Sequence, residues 1–491
     1  MCVHEKISNW GYKKFQTEKN KYIYDTYTNR VAQVDENVYE TIDLIVENSH
    51  SNICEDKIEI IANTKEAVEC YQNDENMFQP LPFQDVKFIE TNHLKTWERN
   101  RLILNVTDDC NLRCDYCIYT EAFPHEYRSF SRTQMSFQTA KLAVDDFLVN
   151  STGRVSINFY GGEPLICYNL IKDVVRYIHS NYGDTERVLF TITTNGALLT
   201  SEMLRYFLDS NIMLSVSIDG PAYIHDKYRK DKNGTGSHKY IVDALRAAKA
   251  YDADKYKQLV SFQATLNPDL MPINEVIEYF SSDELFSSNT VSLNDMEVPE
   301  DGFAFLPDSE NESNNSFWPE VLEFAEQNGS IEPTSRTKII MRYYLSRIYF
   351  LHKRLSSKVD LSTGIPLNGC CVPGQSRLFV SVSGEYHVCE KIGEHSESIG
   401  NPQNGLQFSK ALEYMRSYKE LSLEKCQNCW AMHLCGLCYT SLFNSTSKSF
   451  STKDKKKYCG IERASVEDNL VRLMELMEVN PNFVEEYSDN S

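Results

Sequence analysis

Three cysteines on one short segment form the clearest chemical pattern in this sequence. Cys110, Cys114 and Cys117 stand in a C-x3-C-x2-C array directly after the apolar run 102–104. Three thiolates on one loop can hold three irons of a cubane iron–sulfur cluster and leave the fourth iron open to another ligand. A zinc site normally takes a fourth protein ligand, and a disulfide scaffold uses an even number of cysteines. The array therefore favours an iron–sulfur site over three unrelated buried cysteines.

A second set of cysteines lies near the C-terminus. Its eight members are Cys370, Cys371, Cys389, Cys426, Cys429, Cys435, Cys438 and Cys459. The C-x2-C-x5-C-x2-C unit within it fits, on its own, a four-cysteine zinc ribbon. That ribbon leaves Cys370, Cys371, Cys389 and Cys459 without a role.

Composition limits the class of protein. The chain has 491 residues, 41% of them hydrophobic, with a mean hydropathy of −0.45 and a net charge of −20. This length predicts roughly two or three domains. The sequence has no apolar run long enough to span a membrane and no signal-peptide core at its start, so we expect a cytoplasmic protein whose cysteines serve as metal ligands. The acidic balance argues against nucleic-acid binding and is compatible with a basic or neutral peptide partner.

The elements that must position the first cysteine array alternate between strand and helix. Helix-like stretches cover 139–149, 170–180, 237–250 and 273–280. The apolar, β-rich runs are 102–106, 155–160, 188–193, 212–218, 259–266 and 290–293. This alternation predicts parallel strands with right-handed crossovers, here a partial (β/α)6 barrel with its chemistry at the carboxyl ends of the strands.

Polar motifs follow three of these strands. Gly161-Gly162-Glu163 comes after the second strand, and its glycines allow close backbone approach while its carboxylate can accept from an ammonium group. Asn195 follows the third strand, and Ser217 ends the fourth. Arg229, shortly after, carries a planar fork suited to a carboxylate.

The cysteine array and these motifs, in this order, resemble the radical S-adenosylmethionine (SAM) enzymes. The resemblance implies that SAM binds the open iron through its amine and carboxylate and is cleaved reductively to a 5′-deoxyadenosyl radical. It also implies that the Gly-Gly-Glu loop binds the SAM amino group, that Ser217 contacts its ribose or carboxylate, and that Arg229 binds its carboxylate. The full cofactor-binding set is Tyr116, Gly161, Gly162, Glu163, Asn195, Ser217 and Arg229.

The second set resembles the SPASM extension of radical SAM peptide-modifying enzymes, which holds two auxiliary [4Fe–4S] clusters. That resemblance implies three clusters in total. It assigns Cys371, Cys389 and Cys438 to the first auxiliary cluster, and Cys426, Cys429, Cys435 and Cys459 to the second. The family often has C-x3-C where this chain has Cys435 and Cys438, so the assignment of these two is less firm. The tandem Cys370-Cys371 leaves open which of the two is a ligand and whether the first auxiliary cluster keeps an open iron.

The N-terminal region predicts a small α+β module. Strands are expected at 21–25 and 30–34 around a turn at 26–29, followed by a helix capped by Asp35 and a second helix near 64–71. The order resembles the winged-helix-like recognition element of enzymes that modify ribosomally made peptides (RiPPs). Such an element grips a leader peptide by adding it as a strand at a sheet edge, here expected at 21–25. A purely structural cap is the alternative.

These resemblances imply five segments. They are a leader-binding module at 1–90, a radical SAM core at 101–335, a helical bridge at 336–368, the SPASM region at 369–462, and a C-terminal helix and tail at 463–491.

The chain as a whole resembles the Cys-rich peptide maturases of clostridia, which make sactipeptides and related thioether peptides. The resemblance implies a radical SAM oxidoreductase that joins cysteine sulfur to carbon in a bacteriocin-type precursor. Its partners would be a Cys-rich precursor peptide with a leader, and a flavodoxin or ferredoxin as reductant. The alternatives are an anaerobic sulfatase-maturing enzyme that forms formylglycine, another peptide-crosslinking or epimerising enzyme, and a non-catalytic iron–sulfur carrier.

Overall fold

The N-terminal module is an antiparallel sheet followed by helices. The computed structural model describes residues 11–46, 58–78, 99–117, 119, 130–183, 185–267, 271–296, 317–327, 332–357, 371–393, 396–444, 447, 449–450 and 455–490. Strands β1 (Tyr12–Gln16), β2 (Lys21–Asp25) and β3 (Arg30–Val34) precede α1 (Glu36–Val46) and α2 (Ile58–Asp74). The hairpin of β2 and β3 has the predicted bounds. The predicted cap is also present, because Asp35 accepts a hydrogen bond from the Val38 amide.

One expectation about this sheet is wrong. The strand Lys21–Asp25 is not an edge, because the strand order is β1-β2-β3. Sequence reasoning missed β1, whose sequence Tyr-Lys-Lys-Phe-Gln alternates poorly and reads as a polar segment. Its pairing with β2 leaves β1 and β3 as the two edges of the sheet.

A parallel sheet forms the centre of the molecule. Its strands β4 to β9 are parallel neighbours in chain order, which confirms all six strands predicted for the barrel. Their bounds are β4 (Arg101–Thr107), β5 (Val155–Gly161), β6 (Val188–Thr194), β7 (Met213–Ser217), β8 (Val260–Leu266) and β9 (Thr290–Asp295).

Helices link these strands. They are α3 (Phe137–Val149), α4 (Tyr168–Tyr182), α5 (Ser201–Asp209), α6 (Ala222–Tyr228), α7 (His238–Tyr251), α8 (Ala253–Leu259), α9 (Ile273–Ser282), α10 (Trp318–Glu326) and α11 (Ser335–Leu355). Side-chain caps begin several of them, with Ser136, Thr200, Asp252 and Thr334 each accepting from a backbone N–H of the first turn. Sequence reasoning missed the short helices α5, α6 and α8.

The C-terminal region extends the same sheet. β10 (Arg377–Val380) pairs in parallel with β4, and β11 (Tyr386–His387), β12 (Gly400–Asn401) and β13 (Gly405–Leu406) continue outward in antiparallel order. The remaining elements are α12 (Phe408–Cys426), the pair β14 (Phe443–Asn444) and β15 (Ser449–Phe450), α13 (Lys455–Val479) and α14 (Phe483–Asn490). The second cysteine set is therefore built onto the sheet that carries the first.

Apolar side chains join these parts into a large common core. Leu102 and Leu104 of β4, Phe159 of β5 and Leu378 of β10 are fully buried in it, together with Leu470 of α13. A smaller core lies under the N-terminal sheet. Within the described ranges, no helix is both long enough and apolar enough to cross a membrane.

Candidate functional site

The first cysteine loop begins where β4 ends, and the Gly-Gly-Glu loop lies directly against it. The Gly162 amide donates to the Thr107 carbonyl at 2.8 Å, and the Glu163 amide donates to the Asp109 carbonyl at 2.8 Å. A Cβ atom added at Gly162 would lie 2.2 Å from the Asp109 carbonyl oxygen, and one at Gly161 would lie 2.3 Å from that of Thr107. The close approach that these glycines allow is thus to the backbone of the cysteine loop.

Glu163 joins the ends of β5 and β6. Its side chain is fully buried and accepts hydrogen bonds from the Leu165 amide at 3.0 Å, the Thr194 hydroxyl at 2.6 Å and the Asn195 amide at 2.7 Å. Burial raises the pKa of Glu163 to about 7, although these donors act in the opposite direction. The carboxylate of Glu163 is therefore already hydrogen-bonded to protein groups.

Two N–H groups point at the first cysteine. The side-chain amide of Asn195 lies 3.6 Å from the Cys110 sulfur and donates to the Asn111 side chain at 2.9 Å. The Leu112 amide lies 3.4 Å from the same sulfur. Hydrogen bonds to cluster sulfurs tune the reduction potential of iron–sulfur centres, so these donors fit a cluster ligand.

The three thiols lie together in a poorly solvated pocket. Cys110 and Cys114 are buried, and Cys117 packs against the same small apolar cluster. Burial raises the pKa of Cys110 to about 12 and that of Cys114 to about 11, with the neighbouring thiols adding to both shifts. Such thiols keep their protons until a metal displaces them. Three thiols on one short loop, two of them buried and one partly buried, with N–H donors at Cys110, fit the ligand chemistry of a [4Fe–4S] cluster with one open iron.

The segment before and after Arg229 holds the other side of the cysteine loop. The Arg113 amide donates to the Lys230 carbonyl at 2.6 Å, and the Asp115 amide donates to the Tyr228 carbonyl at 3.1 Å. The cysteine loop is therefore hydrogen-bonded on both sides, to the end of β5 and to the segment that follows α6.

Asp219 is a buried hub that sequence reasoning missed. Its carboxylate accepts from Arg229 Nε at 2.8 Å and Nη2 at 3.2 Å, from the Tyr116 hydroxyl, and from the Thr265 amide at 2.9 Å. Burial opposes the charge of Arg229, but Asp219 outweighs it and keeps the pKa of Arg229 above its ordinary value. The fork expected to bind a SAM carboxylate is thus already closed on Asp219. The sequence did contain one signal for this role: Asp219 follows strand β7 and lies only ten residues before Arg229.

Comparison with known proteins identifies the domain that contains this loop. Residues 104–269 match the family model described as the Radical SAM superfamily. This chain carries a radical SAM domain. The matched segment contains the cysteine array and all the other predicted cofactor-site residues, from Tyr116 to Arg229.

Two curated relatives show what the radical SAM domain is similar to. Over 157 residues the chain is 29% identical to a cysteine-type anaerobic sulfatase-maturating enzyme of Clostridium novyi, covering 31% of this chain and 41% of that protein. Over 202 residues it is 27% identical to the radical SAM cyclopropyl synthase TigE of Paramaledivibacter caminithermalis, covering 39% of each. The chain spans less than half the length of the first curated relatives that it matches.

A solved structure extends the likeness beyond the radical SAM domain. Native anSMEcpe with bound AdoMet and Cp18Cys peptide is 20% identical and superimposes with a TM-score of 0.55, covering 78% of this chain and 99% of that one. At this identity the likeness establishes the fold alone, an α/β fold around a parallel sheet.

The second cysteine set separates into two groups. In the first group, Arg377 Nη2 lies 3.5 Å from the Cys371 sulfur, and Arg377 forms a 2.6 Å ion pair with Glu390. Burial lowers the pKa of Arg377, but the charge of Glu390, followed by those of Cys371 and Cys389, raises it above its ordinary value. Burial raises the pKa of Cys389 to about 12, and the charges of Glu390 and Cys438 add to it. Cys438 is therefore within electrostatic range of Cys389.

In the second group, burial raises the pKa of Cys435, and the charges of Glu462, Cys429 and Cys426 add to the shift. The Leu437 amide points at the Cys435 sulfur from 3.4 Å. Cys459 lies on α13 almost one turn before Glu462, whose carboxylate accepts from the Gly436 amide. Within the described residues, no three His, Cys, Asp or Glu side chains converge as they would around a single metal ion.

The remaining predicted residues have less definite places. Ser217 ends β7 and is half-buried, and Gly161 ends β5 beside the cysteine loop. Cys370 lies outside the described residues. Which of Cys370 and Cys371 is the proposed cluster ligand therefore stays open. A cavity of about 490 Å³ lies between α11 and α13, lined by Asp295, Gly436 and Glu462 among others.

Proposed function

We propose that this chain is a radical SAM maturase that oxidises a cysteine-containing precursor peptide, with sulfur-to-carbon thioether bonds as the product. The observation that carries the proposal is the loop of Cys110, Cys114 and Cys117. It presents three thiols, of which Cys110 and Cys114 are buried and Cys117 is partly buried, at the carboxyl edge of a parallel sheet, and it is hydrogen-bonded on both sides. Active sites of α/β barrels lie at this edge.

In this proposal the three thiols hold a [4Fe–4S] cluster, which when bound supplies the electron for cleavage of SAM to methionine and a 5′-deoxyadenosyl radical. The residues around the cluster would bind SAM and orient it. Carbonyls of the Gly161–Glu163 loop would accept from the SAM ammonium group, and Ser217 would bind the ribose or carboxylate. Arg229, held by Asp219, brings positive charge next to Cys114 and towards the carboxylate. Tyr116 and Asn195 complete the site.

We further propose two auxiliary [4Fe–4S] clusters. Cys371, Cys389 and Cys438 would hold one, and Cys426, Cys429, Cys435 and Cys459 the other. The proximity of Cys389 to Cys438, and of Cys435 to Cys426 and Cys429, supports this division. A zinc ribbon of Cys426, Cys429, Cys435 and Cys438 would instead place Cys438 with Cys435. The auxiliary clusters would accept the second electron from the substrate, and a flavodoxin or ferredoxin would reduce the first cluster.

The peptide partner is proposed to bind the N-terminal sheet by strand addition. The edge to which we assign it is β3, Arg30–Val34, because β2 is central and β1 faces α13. Lys13 of β1 forms a 2.8 Å ion pair with Glu467, and Tyr22 of β2 donates to Glu478 at 2.7 Å. An open strand edge offers main-chain hydrogen bonds to an extended peptide.

A sulfatase-maturing activity is the second candidate. The relatives named as anaerobic sulfatase-maturating enzymes and the solved structure with a bound Cys-containing peptide favour it. Thioether formation removes two hydrogen atoms from the peptide, one carried off in 5′-deoxyadenosine and one as a proton and an electron. Formylglycine formation instead replaces the cysteine thiol by an aldehyde. The two outcomes differ in product mass.

The test uses anaerobically reconstituted protein with dithionite, SAM and two probes. One probe is a Cys-rich precursor peptide with a leader, sought among short reading frames beside the gene, and the other is a peptide with the cysteine motif of a sulfatase. We expect a loss of two hydrogens per crosslink from the first probe only, accompanied by more 5′-deoxyadenosine than forms without peptide. Aldehyde on the second probe alone would replace our proposal with the sulfatase-maturing one. Absence of 5′-deoxyadenosine with either probe would contradict both.

The Asp219→Asn variant tests the SAM site separately. The change removes one charge of a buried ion pair, so we expect it to cost about 3–5 kcal/mol of folding free energy and to weaken SAM binding. Thermal unfolding and equilibrium dialysis with SAM measure the two effects. The matched control is Asp243→Asn on α7, whose carboxylate forms an exposed ion pair with Arg246. Equal SAM affinity in both variants would remove Asp219 from the proposed site.

A further inference from the structure

The turn of the N-terminal sheet lies against the loop that carries Cys426, Cys429 and Cys435. Thr26 is fully buried, and its hydroxyl donates to the carbonyl of Trp430 at 2.9 Å. The ring of Tyr24, also fully buried, packs edge-on against the Trp430 ring with centroids 6.2 Å apart. Trp430 directly follows Cys429. These contacts join segments about 400 residues apart in sequence.

The same loop is held from a second point. Its backbone makes a series of tight turns, with Cys429 and Cys435 donating to the carbonyls of Cys426 and Ala431. Carbonyls not used in these turns need outside donors, and Arg354 Nη1 of α11 donates to the Leu434 carbonyl at 2.6 Å.

The end of α11 is in turn tied to the N-terminal sheet. Asn29, with a left-handed φ of 56°, donates to the Arg354 carbonyl at 2.8 Å. Its side-chain oxygen accepts from the Tyr24 hydroxyl at 2.9 Å. The turn thus supports both Trp430 and the helix end that holds Leu434.

We propose that the turn Asp25–Asn29 of the N-terminal sheet is part of the auxiliary cluster site, where it positions the Cys426–Cys435 loop and keeps water from its sulfurs. Thr26 and Tyr24 are the positioning residues. The burial that raises the pKa of Tyr24 is reinforced by the charge of Asp25 and then of Cys429, which places the phenol within electrostatic range of that sulfur. This inference rests on the proposed function, since it requires that these cysteines hold a cluster.

The physical consequence is a change in cluster potential. Solvent exposure and hydrogen bonding around the sulfurs set the potential of an iron–sulfur cluster. Reduction adds negative charge, which water stabilises better than a dry protein interior does. Loosening the contact of Thr26 with Trp430 should therefore raise the midpoint potential of this cluster and leave the other clusters unchanged.

The experiment uses the full chain with Cys110, Cys114 and Cys117 replaced by alanine, so that only auxiliary clusters give signals. Thr26→Val, which keeps the branched shape and removes the donor, should raise the midpoint potential of one auxiliary signal in an EPR-monitored titration. Thr26→Ser should restore the parent value. Tyr24→Phe, which removes the bond to Asn29, should produce a smaller shift in the same direction and serves if Thr26→Val does not fold.

Tyr22→Phe is the matched control. Tyr22 lies on the same strand as Tyr24, but its hydroxyl donates to Glu478 of α13, away from the cysteine loop. An unchanged potential in both Thr26→Val and Tyr24→Phe would overturn the inference, as would an equal shift in Tyr22→Phe. A parent protein that binds zinc and no iron would overturn the proposed auxiliary clusters, and the inference with them.

Discussion

The loop of Cys110, Cys114 and Cys117 and the loop of Cys426, Cys429 and Cys435 both place three thiols on a short segment, but they are supported differently. Elements of one domain hold the first, through backbone hydrogen bonds to the end of β5 and to the segment after α6. Distant parts of the chain hold the second, through Thr26 and Arg354. The conformation of the first loop therefore depends on the central sheet alone, whereas that of the second depends on packing between distant parts of the chain.

This difference predicts which changes each site can withstand. Backbone hydrogen bonds between neighbouring strand ends form together with the sheet, so only a change in the loops themselves should disturb the first site. The second site depends on side chains that come from the N-terminal sheet and from α11. Substitutions far away in sequence should therefore reach the second site and spare the first.

The largest expected effect comes from removing either set of thiols. Alanine at Cys110, Cys114 and Cys117 should abolish SAM cleavage and remove about four of about twelve irons per chain, while the second set keeps its iron. Alanine at the three cysteines of the second loop should also remove about four irons and leave SAM cleavage intact. Iron analysis and 5′-deoxyadenosine assays without peptide measure both. Loss of SAM cleavage in the second variant would show that the two sites are not independent.

A smaller effect is expected from Gly162→Ala. The new Cβ would lie 2.2 Å from the Asp109 carbonyl oxygen, which belongs to the backbone and cannot rotate away. We expect a loss of about 1–3 kcal/mol in the free energy of unfolding and weaker retention of the first cluster. Denaturant titration and iron analysis measure these changes.

Gly460→Ala is the control for this substitution. Gly460 lies on α13 with open space around its missing Cβ, so alanine there should gain up to about 1 kcal/mol of helix stability. A Gly162→Ala protein as stable as wild type would contradict the close packing of the two loops of the first site.

The smallest effect concerns pH at the first site. Burial lowers the pKa of His225 to about 3; its ring accepts from the Asp219 amide and meets the Ser237 hydroxyl. Below the ordinary histidine pKa the unfolded chain binds a proton that the folded protein excludes. Stability should therefore fall as the pH drops from about 6.5, by up to about 1.4 kcal/mol per unit.

The variant His225→Asn should lose this part of the pH dependence, because asparagine offers an acceptor without titrating. Denaturant titration of metal-free protein at pH 7 and pH 5 makes the comparison. His179→Asn, at an exposed position on α4, is the control and should behave like wild type. Equal pH dependence in all three proteins would mean that His225 is protonated in the folded state.

Much of the first site was predictable from the sequence by itself. The spacing of Cys110, Cys114 and Cys117 is local, so one short loop must bring the thiols together. The six strands of the parallel sheet were predicted within two residues at either end. Strand β4 contains the apolar run 102–104, and in β5 and β8 buried apolar residues alternate with less buried ones, which is the period of a strand. The order of strand-end motifs placed Glu163, Asn195 and Arg229 at one edge of the sheet.

The tertiary structure decided the contacts between segments that are far apart in the chain. Spacing alone could not show that Arg229 is closed on Asp219, that Lys21–Asp25 is a central strand, or that β10 extends the sheet beside β4. The reason is physical. Local sequence determines backbone conformation and the pattern of burial, whereas tertiary packing determines which distant segments contact a buried charge or thiol.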